Sequence, residues 1–158
     1  MGFLRSKKGT LISEYFSVYE DIAMFKKGRT VEVNLYNDEL TLTSLKDVIT
    51  LRYSQITDVY YGVQSSIVEK DKSPIGRAVV GGLLFGSAGA VVGAVSGSGK
   101  KEKTVDKLMF IIGYISSEGE EKFLQFEDTR LFKGRKLAAT LKDKCGISSP
   151  KGEQHITL

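Results

Sequence analysis

The side chains that most often move protons, attack carbonyls or hold metals are nearly missing from this chain of 158 residues. It has one histidine, His155, and one cysteine, Cys145. A zinc site needs more ligands of this kind than two, and any Ser-His-Asp triad or Cys-His pair would have to be built on His155, which falls in the C-terminal tail. Cys145 falls near the expected end of a helix, where a small buried side chain is the ordinary explanation, and a lone cysteine closes no intrachain disulfide. Carboxylates are plentiful, but the adjacent pairs Glu20-Asp21 and Glu120-Glu121 fall in turns or loops with no partner for acid–base work. Residue types therefore argue against an enzyme, and they call for no cofactor and no metal.

One stretch invites comparison with a phosphate loop: "GRAVVGGLLFGSAGAVVGAVSGSGKK", residues 76–101. A P-loop needs glycine, four residues, then Gly-Lys followed by Ser or Thr. Here Gly99-Lys100 is followed by Lys101, and Ala94 occupies the position of the first glycine, so both ends fail. No three glycines have the dinucleotide-binding spacing either. Instead Gly82, Gly86, Gly89, Gly93 and Gly97 recur at steps of four, three, four and four. On a helix these steps keep the glycines on one side, and Ala78 extends the row backwards. Such a ridge lets a second backbone approach closely, as in small-xxx-small helix pairs. Val79, Val80, Leu83, Leu84, Phe85, Val91, Val92 and Val95 supply apolar surface around it. Each glycine costs a lone helix roughly 1 kcal/mol relative to alanine, so close packing has to offset the cost. The block is similar to a glycine zipper.

The flanks suggest how it is mounted. Lys70, Lys72 and Arg77 precede the block, and Lys100, Lys101 and Lys103 follow it. Basic flanks are the cytoplasmic ones, and here both sides qualify as contacts for an anionic surface. Strand patterns lie on either side of the block, and one sheet cannot be split by a single membrane crossing. The expectation is a helical hairpin over 73–99 that reverses at "GSAG" (86–89). Ala78, Gly82 and Gly86 then face Gly89, Gly93 and Gly97. Arms of about a dozen residues reach only halfway through a bilayer, which fits a re-entrant or monotopic insertion of residues 75–98. A hairpin packed against its own domain or a second copy is the other expectation.

The surrounding elements follow from periodicity. "TVEVNLY" (30–36) and "LTLTSL" (40–45) alternate apolar and polar residues about a turn at "NDE". "VITLRY" (48–53) and "ITDVYYGV" (56–63) continue the strands, and "LISEYFSVY" (11–19) is the expected first one. "KLMFIIGYIS" (107–116) and "EKFLQFE" (121–127) pair across a turn at Ser117–Gly119. Then the period changes to that of a helix over Thr129–Lys144. Asp128 is its expected cap, Leu131, Leu137, Ala138 and Leu141 its apolar stripe, and Gly146 its stop. Residues 147–158 read as a flexible tail.

About seven antiparallel strands closed by a C-terminal helix, with "VEVNLYNDELTLTS", "VITLRYSQITDVYYG" and "FLQFEDTRLFKGRKLAATLKDKCG" as its segments, resemble the pleckstrin-homology superfold and specifically bacterial PH-like domains. The resemblance implies a mainly β (α+β) domain over 11–146 in a bacterial or phage protein. Its curled sheet or barrel is capped by the helix, with the glycine-rich hairpin inserted between strands five and six. The superfold hosts lipid-binding, peptide-binding and architectural roles, so it implies little about function.

A net charge of +4 and a pI near 9.1 favour anionic partners mildly. The last helix region carries Arg130, Lys133, Arg135, Lys136, Lys142 and Lys144 against Asp143, which suits an anionic bilayer or a solvated outer face. Tyr15, Tyr53, Tyr60 and Tyr61 have the spacing of strand aromatics rather than of base-stacking platforms, so nucleic acid is not the expected partner. At the start, MGFLRSKKGT lacks the apolar core of a secretory signal, while Gly2 and Ser6 fit the loose myristoylation pattern. Together these features suggest a cytoplasmic docking module at the inner face of a membrane. It would be anchored in lipid or to itself through residues 75–98 as a homo-oligomer. The alternative is a soluble adaptor or inhibitor that grips a protein partner with the hairpin.

Overall fold

The structure is a computed structural model that describes residues 9–69, 73–85 and 106–147. Alternating apolar residues produce seven strands: β1 (Ile12–Val18), β2 (Thr30–Leu35), β3 (Glu39–Ser44), β4 (Asp47–Arg52), β5 (Ile56–Val63), β6 (Leu108–Ile115) and β7 (Glu121–Glu127). Among the described residues two helices, α1 (Pro74–Val80) and α2 (Arg135–Cys145), accompany short 3-10 turns at Tyr53–Gln55 and Gln64–Glu69. The strands form one sheet in the order β4-β3-β2-β1-β7-β6-β5, antiparallel at every step. The sheet is not closed, because β4 and β5 are its two edges.

Register keeps the apolar sets aligned. Val33 pairs with Leu42 and Leu35 with Leu40, while Leu42 pairs in turn with Ile49. A one-residue slip would turn each set to the opposite face. Between the halves, β1 and β7 share only the pairs Ser17–Glu127 and Val18–Phe126. On the inner side of the curl, all seven strands contribute to one core. Phe16, Phe110 and Phe126 are its centre, with ring centroids 4.8 Å apart for the first two and 5.8 Å for the last two. Tilted and offset rings at this range gain from both area burial and quadrupole geometry. Leu137, Ala138 and Leu141 of α2 close it from one side.

The C-terminal helix departs from the expectation at its start. It begins at Arg135 after Gly134, six residues later than the Asp128 cap predicted. The Asp128 carboxylate is engaged in a different arrangement. It accepts hydrogen bonds from the backbone N–H groups of Arg130 and Gly134, both at 2.9 Å, and from the Tyr61 hydroxyl. Residues 129–134 are thereby held as a turn, and Leu131 projects outward instead of joining the apolar stripe. A side chain at Gly134 would lie 2.5 Å from the Phe16 ring, which is why this junction takes a glycine. At the far end the prediction holds: Gly146 adopts φ 72° and its N–H bonds back to Asp143 O.

Candidate functional site

The glycine-rich insertion leaves the sheet at β5 and returns at β6, and its mounting begins with the sequence of those strands. β6 reads Leu-Met-Phe-Ile-Ile, an unbroken apolar run that has to be covered on both faces. Phe110 and Ile112 point into the main core, whereas Met109 and Ile111 point to the outer face. Tyr60 of β5 joins them there. The cover over this outer face is the first part of the insertion: Ile67, Ile75, Ala78, Val79, Leu84 and Phe85 are all buried against it. Phe85 also meets Tyr19 edge-on, with centroids 5.6 Å apart.

Two polar contacts set α1, one within the helix and one from the sheet. Ser73 caps the helix, its hydroxyl accepting from the Gly76 N–H at 2.9 Å, and Pro74 fits the first turn, where no N–H partner is required. The other comes from Asp58 of β5, where the strand register shifts as it does at a β-bulge. The buried Asp58 carboxylate accepts from the Ile75 N–H at 3.0 Å and from the Val59 N–H at 2.9 Å. A carboxylate at a helix N-terminus satisfies an orphan donor and complements the local positive end. Sequence reasoning missed this residue. The available signals were an acid inside the apolar strand "ITDVYYGV" and the two-sided apolar run of β6.

The two ends of the insertion leave the sheet side by side, as expected for a segment between paired strands. Val63 pairs with Leu108, the Gln64 N–H bonds to Lys107 O at 2.8 Å, and Ser65 binds Asp106 through both its N–H and its hydroxyl, at 2.9 and 2.5 Å.

The ridge expected over Ala78, Gly82 and Gly86 breaks after its first member. The helix ends at Val80 with Gly81 as its cap, and Gly82 takes φ +81°. The Gly82 N–H bonds to Val79 O at 3.1 Å and the Leu83 N–H to Ala78 O at 2.8 Å. This is a Schellman motif, in which glycine terminates a helix by adopting a left-handed conformation. Gly82 therefore serves as a stop and not as part of a helical groove. Of the expected apolar insertion surface, Val79, Leu84 and Phe85 lie inside the domain's own second core, and Leu83 is 69% exposed. Val80 closes α1, and Arg77 is exposed on it. Gly86, Gly89, Gly93, Gly97, Val91, Val92 and Val95 lie outside the described residues, as do Lys70, Lys72, Lys100, Lys101 and Lys103.

Elsewhere, the four tyrosines are engaged within the domain. The hydroxyls of Tyr53 and Tyr60 donate to Tyr36 O and Val63 O, and Arg130 lies over the Tyr15 ring at 5.4 Å. Burial, with the Asp128 carboxylate beside it, raises the Tyr61 phenol well above its ordinary range. Tyr61, Arg135, Ala138, Lys142 and Asp143 help line a shallow groove of about 480 Å³ along α2. Burial pushes the Cys145 thiol up to about 11, which keeps it protonated and a poor nucleophile at neutral pH. Among the described residues, no three His, Cys, Asp or Glu side chains come together as a metal site, and no helix is long and apolar enough to cross a membrane.

An open seven-stranded antiparallel sheet, curled around one core and closed by a C-terminal helix, defines a pleckstrin-homology-like domain. Its insertion between β5 and β6 narrows the class. A family model described as "Glycine zipper containing PH domain" matches residues 18–126, more than half of the chain, and the protein belongs to that family. No curated protein matches it.

Proposed function

We propose that the protein is a non-enzymatic, cytoplasmic docking module whose insertion holds copies of the chain together at a membrane face. The observation that carries this reading is the seating of residues 73–85. Ile75, Ala78, Val79, Leu84 and Phe85 are spent on the outer face of β5 and β6, and both ends of the insertion leave from one point. What remains is "GSAGAVVGAVSGSG" (86–99), shorter than the ~20 apolar residues a spanning helix needs. It still contains Gly89, Gly93 and Gly97 at four-residue steps, the pattern suited to close backbone pairing. Self-association is thus favoured over bilayer crossing. The cationic flanks Lys70, Lys72, Lys100, Lys101 and Lys103 favour a shallow membrane contact as the second reading.

Light scattering of the intact chain, alone and with detergent, tests the assignment. The expected result is an oligomer that falls to single chains when Gly89 and Gly93 are both replaced by leucine. A single chain in the unaltered protein, or an unchanged oligomer in the variant, overturns it. Co-sedimentation with membranes that persists in high salt, together with a monomeric mass in detergent, would move the assignment to the second reading.

A further inference from the structure

The turn between β7 and α2 carries a surface that the insertion does not account for. Leu131 and Phe132 sit side by side there, 83% and 50% exposed, at φ 51° and 67°. Non-glycine residues rarely adopt the left-handed region, and two in succession at exposed apolar positions have to be held there by their surroundings. The restraints are visible. Asp128 accepts from the N–H groups of Arg130 and Gly134, Lys133 N bonds to Arg130 O at 3.3 Å, and Arg135 N bonds to Phe132 O at 3.2 Å. Gly134 is wedged against Phe16 of the core. The apolar tip is therefore fixed outward by the fold beneath it.

Within the turn and the first two turns of α2 the charge has one sign, the next acid being Asp143. Residues 129–142 contain Arg130, Lys133, Arg135, Lys136 and Lys142 and no acid, and the preceding Asp128 is buried and hydrogen-bonded. The Arg135 guanidinium lies 4.8 Å from the Phe132 ring centroid, and Arg130 stacks on the half-exposed Tyr15. Cations are thus set around the tip, where lipid phosphates would lie if Leu131 and Phe132 entered the acyl boundary. A tip of two adjacent side chains is far below the ~1,200 Å² that a stable protein interface buries. A shallow bilayer contact needs only a few apolar residues ringed by basic ones.

We infer that the β7–α2 turn is a membrane-contact site of its own, placing Leu131 and Phe132 into an anionic bilayer surface with Arg130, Lys133, Arg135 and Lys136 on the head groups. This site does not depend on the insertion. The chain has no tryptophan, so Leu131→Trp provides a single reporter in the full-length protein. Leu45→Trp places the same reporter at an exposed leucine on the β3–β4 turn.

Mixed with vesicles of phosphatidylcholine and phosphatidylglycerol, the Leu131→Trp protein should show blue-shifted emission, quenched by brominated acyl chains, while Leu45→Trp should not. Lys133→Glu with Lys136→Glu should lower vesicle partitioning by about tenfold or more. The effect should vanish on pure phosphatidylcholine. Absence of vesicle binding overturns the inference and leaves the tip to a protein partner. Binding without a shift at position 131, or with equal shifts at 131 and 45, also overturns it. Repeating the titration with Gly89→Leu and Gly93→Leu separates the two sites: loss of the oligomer with an intact shift at 131 supports both assignments, and an unchanged oligomer with that shift overturns the insertion's role alone.

Discussion

The two faces of the β5–β6–β7 half bury side chains of different origin. Inward, Val59, Phe110, Ile112, Leu124 and Phe126 meet residues from β1–β4 and from α2, so this core exists only when the whole sheet has formed. Outward, Tyr60, Met109 and Ile111 meet a few residues from one segment of the insertion, and two polar contacts, Ser73 and Asp58, set that segment's helix. The inner core makes the domain. The outer one makes the insertion part of it, and this layer can loosen separately, since free energies of local opening fall with the number of buried contacts holding a segment.

The comparison is broken most severely at its shared strand. Phe110→Ala removes the ring that stacks on Phe16 and Phe126, and it should cost about 3–5 kcal/mol in urea unfolding monitored by tyrosine fluorescence. Both layers should be lost together. Asp58→Ala should act on the outer layer alone. It leaves the Ile75 and Val59 donors without an acceptor, for about 1.5–3 kcal/mol. Hydrogen exchange should then rise over residues 73–85 while β2 and β3 remain protected. Equal exchange gains in both regions would mean that the layers are one cooperative unit.

The smallest effect sharpens the contrast through alkaline pH. Burial raises Tyr53 to about 12 and Cys145 to about 11, and both belong to the inner layer. Each side chain must be neutral to stay buried, so the unfolded chain loses these protons first and stability falls as pH rises. The contribution is complete below the ordinary values of 9 for the thiol and 10 for the phenol, and it is lost as pH climbs through the raised ones. A loss on the order of 1 kcal/mol by pH 10 is expected in thermal melts, and Tyr53→Phe together with Cys145→Ala should reduce it, leaving the smaller share of Tyr61.

What could be read from the chain follows the range of the forces involved. The strands were legible because alternation such as Val31, Val33 and Leu35 is imposed by the pleat itself, and the resulting order led to the pleckstrin-homology superfold. Gly146 was legible as a stop because its left-handed φ is a local requirement. Asp128 misled because its carboxylate ties a turn, through the N–H groups of Arg130 and Gly134, to the distant Tyr61 hydroxyl in place of capping a helix directly after it. Gly82 misled for a related reason: four-residue spacing from Ala78 suits a helical ridge, but Gly81 and Gly82 in succession also suit a helix end. The outer layer was illegible until Leu84 and Phe85 were seen against β6, since a short apolar run does not say which surface it covers. The remaining glycines of the row lie beyond the described residues, and light scattering of their variants addresses them.

The contact between Ser65 and Asp106 has an evolutionary consequence. It joins the chain before and after the insertion next to the Val63–Leu108 rung, so strand alignment is insulated from however many residues intervene. Loop-closure entropy grows only by about 0.6 kcal/mol for each doubling of length. A change in the length of the insertion is therefore expected to leave the register of β5 against β6 unaltered, so that evolution can vary one without refolding the other.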